Sequence, residues 1–597
     1  MQRYIQFLFE KKSSLIKKLQ TGFKSLSKKE FFIVVGATFV SALSLIWLII
    51  IINNSFLVSV PADGGKLTEG IVGIPTLVNP VVAFSDADKD LTSLVYSGLV
   101  RKMPNGGFIP DLAESYEISK NGTEYNFKLK NKITFHDGTP ITTDDIIFTI
   151  NQIKDPLIKS PRKIQWEGVT VQKVDDKNLT FTLKQPYASF MDNLTIGILP
   201  MKIWKNISPA EFSLNTRNIK AIGSGPYMIS NVTKNTDGTP NTYTLKRFNN
   251  FALGKPHIKQ ISITSYSNEG ELIDALKNGD IDQAGGINGQ DAKEISNIKN
   301  IKIETSVLPR MFGLFFNSNE NKLFANKNII QAINVSIDKE QIVNEVLYGY
   351  GKTIDNPIPE SFIKNTTKIN SESSIQPKTD TQAMLSKMGF NKGTDGILTQ
   401  SITTQVTTGK GKNKKTTTIV KSGGPKISFS LTTGDTPELK QTAELIKQEL
   451  GTVGIEVNVK IYETGALNQI IRSRKYEALL FGQVLNHESD LYAFWHSSQK
   501  SDPGLNIALY GNSTVDALLE SSQKTLDENE RSKKYLQIMD ILKRDMPAIY
   551  IYSPEYIYAL SKDLHHENQI NADTPKDRFK TIYEWYADTD KVWKLFN

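Results

Sequence analysis

The chain contains no cysteine. Disulfide staples, thiolate metal centres, cysteine nucleophiles and lipid attachment through an N-terminal cysteine are therefore all excluded. Any part exposed outside the cytoplasm must hold by packing alone. Histidine is scarce, with six in 597 residues, so imidazole-based metal or acid–base chemistry has few places to form. There is no G-x-S-x-G elbow, no H-E-x-x-H and no Gly-rich phosphate loop. A hydrolase or nucleotide-dependent enzyme would thus lack recognisable machinery, and no cofactor is expected. No self-similarity recurs at a period of about 20 to 50 residues, which excludes solenoids and propellers.

Unbalanced charge is also largely missing, although the formal +8 hides this at first. Residues 1–30 hold Arg3, Lys11, Lys12, Lys17, Lys18, Lys24, Lys28 and Lys29 against Glu10 and Glu30, so the tail is +6 and only +2 remains elsewhere. A broad phosphate-binding face, and with it a nucleic-acid partner, is not expected.

What is present begins with FFIVVGATFVSALSLIWLIIII, residues 31–52, a run of 22 residues without a charge. As a helix it would span roughly 33 Å, enough for a bilayer core. The Lys-rich flank precedes it, so residues 1–30 are expected in the cytoplasm and the rest outside. A secretory signal has a shorter apolar region, about 7 to 15 residues ending in small side chains. Here INNSFLVSVPADGG follows, and the sequence predicts an uncleaved anchor with a linker at 53–65. The remaining length exceeds the roughly 250 to 300 residues that one core can fill, so several domains are expected.

Beyond the linker, period-two alternation in TEYNFKLKN (123–131) and LTFTLKQ (179–185) predicts strands on either side of a helix at DDIIFTINQI (144–153). Leu439, Ala443, Ile446 and Leu450 make one apolar helical face, and IEVNVKIYE alternates after Gly451 and Gly454. LNQIIRSRKYEALLFGQV repeats helix then strand, the cadence of α/β lobes. Residues 398–426 are Thr-rich on both sides of GKGKNKK and predict a β-hairpin with a basic tip, either a docking arm for an acidic partner or a solvated insertion.

The stretch FHDGTPITTDD, residues 135–145, gathers histidine and acids and could suggest a metal or acid–base site. Scaffold chemistry accounts for most of it. Asp137-Gly138 is a turn pair, and Thr142 with Asp145 forms a capping box for the following helix. His136 has no second histidine at ligand spacing, so a structural role is expected.

The same segment carries a resemblance. PDLAESYEISKNGTEYNFKLKNKITFHDGTPITTDDIIFTI (110–150) resembles the signature of family 5 extracellular solute-binding proteins, the oligopeptide-, dipeptide- and nickel-binding receptors of ABC importers. In the same order come LVYSGLV (94–100), PYASFMDNLTIGILP (186–200), GSGPY (223–227), ELIDALKNGDID (271–282), residues 315–351 and residues 515–552. The resemblance implies an α/β fold of the type II periplasmic-binding-protein kind, with two lobes around a hinge plus an inserted extra domain, preceded here by one transmembrane helix. Lobe I would comprise 66–110, 215–310 and 553–597, the inserted domain 111–214, and lobe II 311–552. It further implies a monomeric receptor that captures a small solute, with oligopeptide the expected class, by hinge closure and delivers it to ABC permease subunits.

In peptide-binding members, the stretch after a strand such as KYEALLFG carries an aromatic that packs on the peptide and an aspartate that pairs with its ammonium. Here FGQVLNHESDLYAFWHSS (481–498) occupies that place. By resemblance Phe481, Gln483, Val484, Asn486, His487, Glu488, Asp490, Tyr550 and Tyr552 are the candidate ligand-binding residues. Gln483 or Val484 replaces the usual tryptophan, and the acid position falls on Asn486, His487 or Glu488, with Asp490 close by. Neither Asn nor neutral His matches a carboxylate for an ammonium. His487 and Asp490 as metal ligands, a peptide sensor or chaperone-like receptor on the same fold, and an extracytoplasmic hydrolase remain the alternatives.

Overall fold

The computed structural model describes residues 27–104, 106–359, 362–363, 381–393, 395–408, 415–485, 490–566 and 571–593. Alternating sequence becomes strand where expected. In Glu124–Leu129 and Asn178–Leu183 every second side chain is buried, as a pleated backbone with one covered face requires. The two strands pair antiparallel at the centre of a four-stranded sheet flanked by Ala113–Ile118 and Val169–Lys173. Helix Thr143–Lys154 buries Ile146, Ile150 and Ile153. The core around it is aromatic: Phe181 meets Phe127, Trp166 and Phe190 at 5.8–6.0 Å between ring centroids. Burying one such ring is worth about 1.5–3 kcal/mol.

The FHDGTPITTDD stretch is scaffold throughout. Asp137 accepts from the amide and hydroxyl of Thr139, and Gly138 takes φ +83°, which a side chain would resist. Asp145 accepts from the Thr142 amide at 2.9 Å and, through its other oxygen, from the Met201 amide. Asp144 pairs with Lys173. His136 clamps the GSGPY turn: its backbone amide donates to Gly223 O, its Nδ1 accepts from the Gly223 amide, and its Nε2 lies 3.1 Å from Gly225 O. Those partners place the proton on Nε2. Gly225 has no room for a side chain, since a Cβ would sit 2.6 Å from Leu94 O and Tyr96 N.

The largest sheet runs, edge to edge, through Glu456–Tyr462, Ser428–Gly434, Ala478–Val484, Arg310–Phe316, Ala548–Ser561, Gln283–Gly285, Gly64–Val72, Ile258–Tyr266, Pro240–Arg247 and Tyr227–Lys234. Ala548–Ser561 is its longest strand. The N-terminal half pairs with Phe312–Phe315 and the C-terminal half with Ile301–Val307. Side chains of Arg310–Phe316 alternate between two hydrophobic cores, Leu314 and Phe316 in one, Met311 and Phe315 in the other. The helical face expected from Leu439, Ala443, Ile446 and Leu450 is buried in helix Pro437–Thr452.

The hairpin is present, with Leu398–Thr408 antiparallel to Lys415–Lys426. Its basic tip, 409–414, lies outside the described residues.

Among the described residues, a separate unit comprises 27–62 together with 588–593. Helix Lys28–Phe56 is capped by Ser27 and Glu30 and buries none of its residues, with Trp47 69% exposed. It is one helix long and apolar enough to cross a membrane. Strand Leu57–Pro61 follows at once and pairs antiparallel with Thr589–Trp593. Much of the expected 53–65 linker is thus helix and paired strand, which shortens its reach from that of an extended chain.

Candidate functional site

Two adjoining cavities share Asp86, Arg310 and Pro575 in their walls. Their volumes, about 550 and 640 Å³, are those of small-molecule sites. Where they meet, two strands are stitched side by side: the Leu308 amide donates to Pro554 O, and Ser553 Oγ lies 2.7 Å from Leu308 O and 2.6 Å from Arg310 O. The serine hydroxyl shares one proton between those two carbonyls, and Leu308 O also accepts from the Arg310 amide.

The first cavity has an aromatic wall. Phe312 and Tyr552 stack at 5.0 Å and 22°, and Tyr348, Tyr350 and Tyr556 join them. Four acids line it, Asp86, Glu269, Glu438 and Glu555, against Arg310. Glu438 is in the first turn of helix Pro437–Thr452. Glu269 opens helix Glu269–Asn278 and accepts from the amide and side chain of Asn288. Burial pushes the Glu269 carboxyl above its ordinary value against those hydrogen bonds, and the charges of Asp291 and Glu438 push the same way.

The second cavity has the opposite balance, with Lys89, Arg101, Lys102, Arg162, Arg310, Lys576 and Lys580 against five aspartates. Arg101 pairs with Asp111 at 2.9 Å, Lys102 lies 3.2 Å from Asp192 and 3.4 Å from Asp573, and Lys580 lies 3.4 Å from Asp577. Burial alone would raise the Asp577 carboxyl, but Lys580 and Lys576 hold it down at about 2. Helix Asp86–Val95 forms one wall. Ser85 caps it, accepting from the Asp88 amide at 3.1 Å while Asp88 accepts in return. Ser85→Ala is expected to cost about 1 kcal/mol, read as a lower denaturant midpoint with unchanged slope.

The residues expected from the sequence are distributed unevenly. Tyr552 lines the first cavity and Val484 the second. Phe481, Gln483, Asp490 and Tyr550 line neither. Gln483 and Tyr550 are 3% and 4% exposed, and Tyr550 packs in the core against Trp495. Phe481 and Gln483 share one face of Ala478–Val484 with Leu479, which is turned to that core. Asn486, His487 and Glu488 lie outside the described residues. Among the described residues no group of three His, Cys, Asp or Glu is placed to hold a metal ion. Arg162, Arg310, Lys576, Glu269 and Glu438 escaped the sequence reading because each comes from a different segment and none stands in a local motif. Tyr96 alone had a signal, standing inside LVYSGLV.

Comparison with known proteins gives one picture. The model of bacterial extracellular solute-binding proteins, family 5 Middle, matches residues 107–503. The oligopeptide-binding protein AppA of Bacillus subtilis is 28% identical over 516 residues, covering 84% of this chain and 89% of that protein. Its structure in complex with a nonapeptide matches 88% of this chain and 99% of its own, at TM-score 0.64 and 27% identity. NikZ from Campylobacter jejuni in complex with Ni(L-His) matches 88% of this chain and all of its own, at TM-score 0.65 and 25% identity.

Proposed function

Because the chain belongs to the bacterial extracellular solute-binding proteins of family 5, we propose that it is a membrane-anchored receptor that captures peptides for an ABC importer. Solute capture and delivery to a permease are transport functions, and the chain is a receptor, not an enzyme. The observation that carries the peptide reading is the charge contrast along the paired cavities. Four acids and an aromatic wall line one, and a surplus of cations the other. A zwitterionic chain with ends of opposite charge is complementary to that arrangement.

Closure is proposed about the crossing at Leu308–Arg310 and Ser553–Pro554, with residues 66–110, 215–310 and 553–597 as one lobe, 311–552 as the other and 111–214 as the inserted domain. A ligand that touches both lobes favours the closed state by its differential affinity. Tyr552 and Val484 are the sequence-derived residues proposed to touch it. Glu269 and Glu438 are proposed as ammonium partners, and the sequence-derived Glu488 as a further one.

The solute-binding part is extracytoplasmic, and helix Lys28–Phe56 is proposed as its uncleaved anchor. An apolar helix with no buried residue finds in a bilayer the cover it lacks. Tethering holds the receptor near its permease at high effective concentration.

The test is a thermal-shift and calorimetric screen of the full chain in detergent micelles. A mixed peptide pool at 100 times its dissociation constant is expected to add about 2.7 kcal/mol of stability, and Glu438→Gln to weaken binding at least tenfold. If peptides leave the transition unmoved while a metal chelate or sugar raises it, the ligand class is wrong. A mass of the full-length chain in the purified membrane fraction supports the anchor, and one starting after residue 52 refutes it.

A further inference from the structure

We propose that the end of the large sheet carrying Asp63 is a docking face for a bilayer of anionic lipid, on which the solute-binding part rests. The inference rests on the anchor reading for the presence of that bilayer. The face itself rests on charge and on reach.

Residues 246–259 carry Lys246, Arg247, Lys255 and Lys259 and no acid. They join strand Pro240–Arg247 to strand Ile258–Tyr266, and the connection is held in shape. Arg247 donates to the carbonyls of Pro256 and His257 at 3.2 Å, and Lys130 to Ala252 O at 3.0 Å. Phe248 and Phe251 are buried with Tyr583, which leaves Asn249, Asn250 and Lys255 in solvent. Lys66 and Lys246 both stand opposite Gln260 in the ladder, so they share one face, and both are exposed. Lys259 is exposed from the other face. Lys66, Lys246 and Lys259 have no ion pair among the described residues. Two acids border the patch. Asp63 pairs with Arg247 at 3.2 Å and with Lys255, and lies 3.5 Å from His257. Asp282 accepts from the amide and hydroxyl of Thr68. The balance stays cationic.

Reach identifies the occupant. Asp63 follows Phe56, the last residue of the apolar helix, by seven positions, and no charged residue stands between Glu30 and Asp63. Seven residues span about 23 Å even when fully extended. With the helix in a bilayer, Asp63 and the cations that touch it cannot leave the neighbourhood of the headgroups. The chain also returns to this place. A Cβ on Gly65 would lie 3.0 Å from that of Ala587, and strand Thr589–Trp593, which pairs with Leu57–Pro61, begins two positions after Ala587. Both connections to the anchor-bearing unit therefore leave the solute-binding part at one point. Near an anionic surface each Lys or Arg strengthens association about fivefold, within a screening length of about 10 Å. The first cavity is at the opposite end of the same strands. Its Glu269 and Gly286 follow the last residues of Ile258–Tyr266 and Gln283–Gly285, both parallel to Gly64–Val72. Resting on the basic end leaves that cavity open to solute.

Because the chain has no cysteine, a single introduced one is a unique label. The full chain with Asn250→Cys, carrying bimane, is placed in lipid nanodiscs of phosphatidylcholine with or without phosphatidylglycerol, each containing a headgroup-nitroxide lipid as contact quencher. Quenching should be strong with phosphatidylglycerol, weak without it, and lost at about 1 M salt, where screening shortens to roughly 3 Å. In the triple variant Lys246→Gln, Lys255→Gln, Lys259→Gln it should fall to the phosphatidylcholine level, a loss of about 100-fold in contact affinity, with the melting temperature unchanged. Bimane at Lys447→Cys, an exposed position on helix Pro437–Thr452, should stay unquenched throughout. Equal quenching in both lipids, none in either, or no effect of the triple variant overturns the docking face. Retention of the chain in the discs on gel filtration is a separate readout. If the chain elutes alone, the anchor reading falls. Salt-sensitive binding of that free chain to phosphatidylglycerol vesicles, lost in the triple variant, would still support the face, and absence of binding would overturn it.

Discussion

Replacing Arg578 by methionine is expected to destabilise the protein by about 3–5 kcal/mol at pH 7.5, the usual penalty for stranding buried charges. Arg578 is 3% exposed and donates from Nε to Glu69 at 2.7 Å and from both terminal nitrogens to Asp90 at 2.9 and 2.6 Å. Glu69 also accepts from Tyr558 at 2.8 Å. Burial pushes both carboxyls above their ordinary values, and Arg578 is the main charge pulling them back. Without it both would rise further. A carboxyl whose folded value lies above its unfolded value contributes stability that is present below the unfolded value, about 4, and lost as pH rises through the folded one. The gap between R578M and wild type should therefore narrow on going from pH 7.5 to pH 5. Urea titrations of both proteins at the two pH values check this. A variant within about 1 kcal/mol of wild type at pH 7.5 would show that the network is not what holds strand Gly64–Val72, helix Asp86–Val95 and the segment at Pro575–Phe579 together, since each charge must then be satisfied without Arg578.

The wild-type protein is expected to lose about 3 kcal/mol between pH 6.5 and pH 4 through one histidine. Burial lowers His136 from 6.5 to about 4, more than its bond to Gly225 O and the nearby charge of Asp137 raise it. The sign is opposite to that of the Arg578 variant. A depressed histidine carries no penalty above its unfolded value, and stability falls as pH drops from 6.5 toward 4 because only the unfolded chain takes up the proton readily. Protonation would also turn Nδ1 from the acceptor of the Gly223 amide into a donor aimed at a donor. His136→Gln should cost about 1–3 kcal/mol at pH 7.5 through lost hydrogen bonds, and the deficit should shrink as pH falls. Parallel curves for variant and wild type between pH 6.5 and pH 4 would refute the titration of His136.

The two effects bear on the second cavity. Asp90 lies on the helix that walls the second cavity, and Arg578 is bracketed by Asp577 and Lys580 of the same wall. His136 holds the GSGPY turn, which packs directly on Val95 and Tyr96 at the end of that helix. Acid or mutation that loosens either clamp should disturb the position of Tyr96 before the two cores that strand Arg310–Phe316 joins.

How much could be read in advance depended on distance along the chain. The strands at 124–129 and 178–183, the helical face of Leu439, Ala443, Ile446 and Leu450, and the roles of Asp137 and Asp145 were legible because pleat, helix turn and capping box are periodic or local within a few residues. Family membership was legible for another reason, since ordered motifs survive where overall identity is 28% or less. The apolar run at 31–52 was plain, but its helix begins earlier, at Lys28, because Ser27 and Glu30 cap it outside the apolar stretch, and it runs on to Phe56, where strand Leu57–Pro61 begins.

The site was legible only in part. Gln483 and Tyr550 were plausible wall residues from their strands, yet strand alternation and the core around Trp495 bury them away from both cavities. Composition, periodicity and motif order by themselves determined the α/β class, the anchor-like N-terminal helix and the absence of thiol chemistry. Only the tertiary structure decided which charges meet. Arg162, Arg310, Lys576 and Tyr96 are separated by up to 480 positions in sequence, and Glu69 and Asp90 reach Arg578 only through the fold. Coulomb energy and burial depend on distance in space, and no local pattern records it.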